Sequence, residues 1–219
     1  MSGFPGSPRL LKAGLVLLDA STLTQIKVIA MQYNPDTLTR SLQSQGVGPD
    51  SGDRLETLRL KGPPIESIKF EAEIDATDQL EFPEKNPDVV ANGIGPQLAA
   101  LEMMLYPTTN QLQASNGLSS AGTLEIAPIE APLTVFVYGQ NRVAPVRLTE
   151  FGITEEAFDP QLNPIRAKLS ISLRVLSIND FTFAHPGAGL YMAYQRQKEL
   201  LAGRVPSAAL NALGIRSIP

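Results

Sequence analysis

Ile165-Arg166-Ala167-Lys168-Leu169-Ser170-Ile171-Ser172-Leu173-Arg174-Val175 alternates between apolar and polar residues without a fault. A β-strand repeats every two residues, so Ile165, Ala167, Leu169, Ile171, Leu173 and Val175 share one face, which needs a core to cover it. Arg166, Lys168, Ser170, Ser172 and Arg174 make a cationic, hydroxyl-bearing stripe on the other face. An earlier segment does the same with the opposite charge: Ile68, Phe70, Ala72 and Ile74 alternate with Lys69, Glu71, Glu73 and Asp75. Two long, two-faced strands of contrasting charge predict a sheet with one buried and one solvated side, and they direct attention to the polar faces.

Outward from these strands, the chain divides at its prolines and glycines. Leu11 to Leu18 is almost continuously apolar and reads as a strand buried on both faces; Ile26 to Tyr33 reads as a second, stopped by Asn34-Pro35-Asp36. Gln43 to Arg54 has no period and reads as a mobile loop, and Leu55 to Leu60 as a short strand. Gly62-Pro63-Pro64 breaks the chain before the acidic strand at Ile65 to Asp75. A helix is expected from Pro96 to Tyr106, where Leu98, Leu101, Met104 and Leu105 share a face and Pro107 ends it. Thr108 to Gly122 is polar without an apolar period and reads as a flexible excursion.

Strands resume at Pro132 to Tyr138, turn at Gly139-Gln140-Asn141, and return from Val146 to Ile153. Asp159-Pro160 and Asn163-Pro164 punctuate the link into the long cationic strand. Leu190 to Leu201 and Ser207 to Leu213 read as helices, the second with Ser207 as N-cap and Gly214 as stop. The expected fold class is mainly β with helices (α+β): an antiparallel β-barrel or sandwich with one packed central helix and short C-terminal helices. The expected organisation is a flexible N-terminal tail over 1–8, a β domain over 9–180 and a helical C-terminal extension over 181–219.

Composition removes whole classes of function. Without cysteine there is no disulfide framework, thiolate metal site or thiol nucleophile, and one histidine, His185, supplies neither an imidazole ligand set nor a base for a nucleophilic serine. A net charge of −4 argues against a broad nucleic-acid footprint. The start of the chain, Met1 to Pro8, lacks the charged-then-apolar pattern of a secretory signal, and the longest apolar run, Ala13 to Leu18, falls far short of the roughly 20 residues that span a bilayer. A protein that begins its life in the cytoplasm, without direct membrane insertion, is expected.

Converging catalytic groups are scarce. Asp75 and Asp78, with Glu71 and Glu73 nearby, form the strongest acidic cluster, and with Glu155 they outline a paired-carboxylate, cell-wall carbohydrate-processing site. Alternation, however, already accounts for Glu71, Glu73 and Asp75 as a solvated strand face. Glu155, Glu156 and Asp159 lack the spacing of a calcium loop. Gly93-Ile94-Gly95-Pro96 has neither P-loop lysine nor dinucleotide fingerprint and reads as a structural turn, and His185 as a linker residue. Tyr191, Tyr194 and Leu201 make an apolar stripe that docks either on the domain itself or on a partner. No enzyme activity, cofactor or metal is expected.

Five stretches, in order, resemble the tube-protein family of contractile injection systems, which are phage-tail-like particles. They are Met31-Gln32-Tyr33-Asn34-Pro35; Gly62-Pro63-Pro64-Ile65-Glu66 running into Phe70-Glu71-Ala72-Glu73-Ile74-Asp75-Ala76-Thr77-Asp78-Gln79-Leu80; Gly95-Pro96-Gln97-Leu98-Ala99-Ala100-Leu101-Glu102; Leu105-Tyr106-Pro107; and Ile153-Thr154-Glu155-Glu156-Ala157-Phe158-Asp159-Pro160-Gln161-Leu162-Asn163-Pro164-Ile165-Arg166-Ala167. The resemblance implies a baseplate adaptor. Such a protein has a tube-like β-barrel protomer and forms a homohexameric ring between the spike protein and the inner-tube protein, with baseplate wedge or sheath components as further partners. Members often carry a lysin-motif domain; after Ile178 only helical stretches and a tail are expected here. Lys69, Glu71, Glu73, Asp75, Arg166, Lys168 and Arg174 are then candidates for the lumen or for the seam between subunits. The repeating inner-tube subunit is the nearest alternative.

Overall fold

A computed structural model describes residues 11–46, 59–120, 131–208 and 210–218. The predicted N-terminal tail, most of the predicted loop over 43–54 and most of the predicted strand over 55–60 lie outside them. Among the described residues seven strands form one antiparallel sheet: β1 (Gly14–Leu18), β2 (Gln25–Ala30), β3 (Leu38–Gln43), β4 (Ile65–Asp75), β5 (Leu133–Val137), β6 (Val143–Phe158) and β7 (Pro164–Val175). Their spatial order is β2-β1-β5-β6-β7-β4-β3. The α+β, mainly-β class is the expected one, and the two sequence-predicted long strands, β4 and β7, are neighbours in the sheet.

The sheet is curled but not closed, which corrects the expectation of a barrel. Seven flat strands would set the margins about 29 Å apart. The link from Ala30 at the end of β2 to Leu38 at the start of β3 reaches only about 28 Å even when fully stretched, and it contains bends. Curling brings Phe70 on β4 and Phe136 on β5 to a ring separation of 5.4 Å, although β6 and β7 run between them. Among the described residues β2 and β3 share no ladder. Instead the Gln32 side chain crosses the seam: its Nε2 donates to the Asp75 carbonyl at 2.7 Å, and its Oε1 accepts from the Asp75 amide at 3.0 Å. A side-chain amide thus imitates one rung where Pro35, lacking an N–H, sits in the connecting link.

Residues on the inner side of the curl make the core: Leu15, Ile68, Phe70, Phe136, Val146, Leu169, Ile171 and Leu173 are all buried. One irregularity in β6 keeps this pattern in phase. The register shifts between Leu148 and Glu150, so Thr149 is an inserted residue, and its hydroxyl donates to the Ser172 carbonyl at 3.0 Å. Without the insertion, strict alternation would turn Glu150 inward and Phe151 and Ile153 outward.

Among the described residues five α-helices accompany the sheet: α1 (Thr77–Leu80), α2 (Pro87–Asn92), α3 (Gly95–Glu102), α4 (Thr109–Ser120) and α5 (Pro186–Ala202). Helix α3 is the expected central helix; it ends at Glu102, short of Tyr106, and buries Leu98 and Leu101. Gly93 makes its approach possible. There φ is +56°, and a Cβ would stand 2.1 Å from the Pro164 carbonyl oxygen, which accepts the Ile94 amide at 2.8 Å. The expected excursion over Thr108 to Gly122 is instead α4. Thr108 and Gln111 form a capping box, with the Gln111 amide on the Thr108 hydroxyl and the Thr108 amide on the Gln111 side chain, so the helix starts without an apolar face to drive it. The expected helix over Ser207 to Leu213 is reduced to a 3-10 turn, Leu210–Leu213.

Candidate functional site

The outer side of β4, β7 and β6 is a charged surface on which all seven predicted residues meet. Cross-strand register sets Lys69 beside Ser172 and Glu150, Glu73 beside Lys168 and Thr154, and Asp75 beside Arg166 and Glu156. The acidic and cationic stripes read from the sequence are therefore adjacent, and they neutralise each other. Lys69, Arg147, Arg166, Lys168 and Arg174 stand against Glu71, Glu73, Asp75, Glu150 and Glu156, five of each sign.

The pairings are specific. Arg166 donates to Asp75 Oδ2 through Nε at 2.8 Å and NH2 at 2.7 Å, and its Nε lies 3.7 Å from Glu73. Lys168 reaches Glu156 at 2.9 Å, and Lys69 lies 3.6 Å from Glu150. Arg174, set opposite Arg147 in the ladder, turns to Asp180 at 2.6 Å and so escapes the like-charge contact. Glu71 stands over Ser170 and Gly152, is exposed, and has no ion-pair partner among the described residues.

Asp75 is a structural carboxylate. The Thr77 hydroxyl and amide and the Arg166 guanidinium hold its pKa below the usual aspartate value against the cost of burial. The same pairing raises Arg166, and Glu156 raises Lys168. Asp78 lies on α1, while Glu155 stands opposite Ala167 and therefore faces away from the side that carries Asp75. Two carboxyl groups on opposite faces of a sheet cannot flank one substrate, so Asp75 and Glu155 do not form a catalytic pair. The Asp159 carboxylate is committed to its own turn, accepting from the Gln161 and Asn163 amides at 2.8 Å each. Among the described residues no three acidic or imidazole groups converge as a cation site requires.

A second charged cluster escapes a reading of the sequence alone. Glu66, 3% exposed, lies on the apolar side of β4 in line with Ile68 and Phe70. Its carboxylate accepts from the Tyr194 hydroxyl at 2.8 Å, from Lys198 Nζ at 2.6 Å and from Arg40 Nε at 2.9 Å. Burial pushes the Glu66 pKa up, but these three donors outweigh it and the net shift is downward. Burial, with the Glu66 charge beside it, drives the Tyr194 phenol well above its ordinary value. Lys198 also lies 4.1 Å from the centre of the Tyr194 ring. The apolar stripe of α5 therefore docks on the chain's own sheet: Tyr191 and Tyr194 are buried, and Leu201 is left partly exposed. A glutamate in phase with core residues is the available signal, because a buried charge requires partners.

His185 is the N-cap of α5. Its Nδ1 accepts from the Gly187 amide at 3.0 Å, and its ring stacks on Phe181 at 4.8 Å. Among the described residues no helix is long and apolar enough to cross a membrane. Fold and surface together define an α+β protein built on one curled antiparallel sheet with a charge-compensated outer face. Compared with family models and with curated proteins, the sequence has no match.

Proposed function

We propose that the protein is a structural component of the baseplate of a contractile injection system, forming a ring that joins the spike to the inner tube and nucleates tube assembly. The ordered sequence stretches given above carry the family resemblance. The structural observation that supports it is the division of the sheet into a helix-covered apolar side and a continuous, self-neutralised polar side. A water-filled passage needs such a wall, because unpaired charge of one sign would hold a cargo of the opposite sign. The two margins, β2 and β3, whose outer edges are unpaired among the described residues, fit the same role, since strand edges left free in a monomer are covered when copies assemble. Partners on this reading are other copies of the chain, the spike, the inner tube, and wedge or sheath components, assembled inside the producing cell.

Cryo-electron microscopy of the purified particle tests this. The expected result is one ring of this chain between spike and first tube layer. Copies repeated along the tube would make it the inner-tube subunit instead. Absence of the chain from particles would end the reading.

A further inference from the structure

The segment that follows α5 has almost no partner among the described residues. From Arg204 to Ile218 every residue whose burial is described is exposed, including Val205 at 74%, Leu213 at 73% and Ile218 at 76%. Among the described residues its backbone bonds reach only the last turn of α5 or the segment itself, as in the Ile215 amide to the Leu210 carbonyl at 3.3 Å. It carries Arg204 and Arg216 and no acidic residue. Large apolar side chains at this density are not ordinarily left in water.

The same chain carries an exposed groove with apolar walls. It encloses about 450 Å³ between the β1–β2 turn and the stretch after α3, with Ile26, Met103, Leu105 and Tyr106 on its walls and Asp19 at its rim. All four apolar wall residues are substantially exposed. The charges are complementary, the segment being cationic and Asp19 an ionised carboxylate whose Oδ1 is taken by the Ser21 and Thr22 donors of its own turn, which leaves Oδ2 for an incoming arginine.

The groove and the point where the segment leaves α5 lie at opposite ends of the sheet. Helix α5 starts at His185, beside the β5 start and the groove end of the molecule, where His185, Ala20 and Leu133 line a second, adjoining hollow. It runs to the other end, where Gln197 donates to Asn141 in the β5–β6 turn at 2.9 Å. Its 17 residues carry the terminal segment about 25 Å away from its starting point. A contact between two different surfaces at opposite ends is heterologous, and such contacts propagate from copy to copy.

We propose that the terminal segment, 204–218, is a latch that seats in the groove of a second copy, with Val205, Leu210 or Leu213 against Met103 and Tyr106 and an arginine at Asp19. The proposal shares with the ring reading only the requirement that copies meet.

The absence of cysteine makes the test direct. Full-length Met103→Cys and Leu213→Cys chains are mixed in equal amounts and oxidised. The cross-chain heterodimer is expected at about tenfold the yield of a Glu84→Cys with Leu213→Cys control, since docking raises the local concentration of the pair above that in bulk. Removal of 204–219 is expected to abolish self-association in sedimentation velocity. Heterodimer at the control level overturns the latch, and so does a disulfide that closes within one chain when Met103→Cys and Leu213→Cys are placed together in a dilute double variant. If the truncated chain still forms rings in particles, the latch falls while the baseplate reading stands. If latch cross-linking succeeds with a chain absent from particles, the baseplate reading falls and the latch stands.

Discussion

The Tyr194 hydroxyl donates to the Glu66 carboxylate at 2.8 Å, joining residues 128 positions apart and pinning α5 across the sheet. The bond is buried, and it is one of three that satisfy a carboxylate almost wholly removed from water. Removing one member of such a group strands the rest, which costs more than the group contributes as a unit. Glu66→Ala is therefore expected to lower unfolding stability by about 3–5 kcal/mol. Tyr194→Phe, which leaves Lys198 and Arg40 in place, should cost only about 1.5–3 kcal/mol. Urea titration followed by circular dichroism measures both. Equal losses would show that the Tyr194 hydroxyl carries most of what the cluster contributes, because phenylalanine keeps the ring.

The same cluster sets an acid limit. Glu66 and Asp75 both have folded-state pKa values below their ordinary ones. A depressed carboxylate contributes stability that is fully present above its unfolded pKa and is lost as pH falls through the folded value. Stability should therefore hold at neutral pH and fall progressively once pH drops below the ordinary glutamate value of 4.5. Glu66→Gln should be less stable at neutral pH and show a shallower acid slope. An unchanged slope in this variant would assign the acid sensitivity to other carboxylates.

Gly93 offers a backbone test. With φ at +56° and the Pro164 carbonyl 2.1 Å from where a Cβ would sit, Gly93→Ala must both adopt an unfavourable conformation and push β7 away from α3. A loss of at least about 1–3 kcal/mol is expected from the conformation alone. Gly139→Ala has positive φ but open space around it, so it isolates the conformational part. Thermal unfolding of the two variants separates strain from crowding, and equal losses would mean that the Pro164 contact yields freely.

What the sequence reveals depends on whether a pattern is local. The period of two delimits β4 to its end residues and β7 to within one residue, because every second side chain has to face the core. Strand β3 escapes it: Leu38 to Gln43 lies on a margin of the sheet, and only Leu38 is even partly buried, so no apolar alternation marks it. Helix α4 escapes a search for apolar periodicity because its informative signal is Thr108 and Gln111 three apart. The barrel expectation fails at the seam, where Gln32 reaches Asp75 across 43 positions and no local rule announces it. The charged residues of the outer face are legible, but their mutual neutralisation is not, because it depends on the β4–β7 register.

The inserted Thr149 separates a hydrogen bond from a register. Thr149→Ala loses only the bond to the Ser172 carbonyl and should cost about 0.5–1.5 kcal/mol. Deleting Thr149 outright forces the chain to choose which part of β6 stays in phase. If the Phe158 half is kept, Val146 and Leu148 turn outward; if the Val146 half is kept, Phe151 and Ile153 do. Two large apolar side chains leave the core in either case, at about 1.5–3 kcal/mol each. The deletion variant should be insoluble or lack a cooperative transition, whereas Thr149→Ala folds. A well-folded deletion variant would mean that the bulge re-forms at a neighbouring residue.

The outer face yields the prediction that bears on assembly. Arg166 is only partly buried and its pairs are solvent-washed, so Arg166→Glu with Arg174→Glu removes interactions of about 0.2–1 kcal/mol each. The substitutions also bring like charges together: a carboxylate at position 166 would face Asp75, Glu73 and Glu156, and one at position 174 would face Asp180. The folded monomer should survive with a modestly lowered midpoint in urea, while the five-against-five balance becomes three cations against seven carboxylates. If this surface lines the passage or the seam, that excess repels between copies and particle yield should fall severalfold, recovering in part at high salt as screening shortens the reach of the charges. Particles formed in normal number by a folded double variant would remove Arg166 and Arg174 from any role in assembly and leave the margins of the sheet and the latch as the surfaces that join copies.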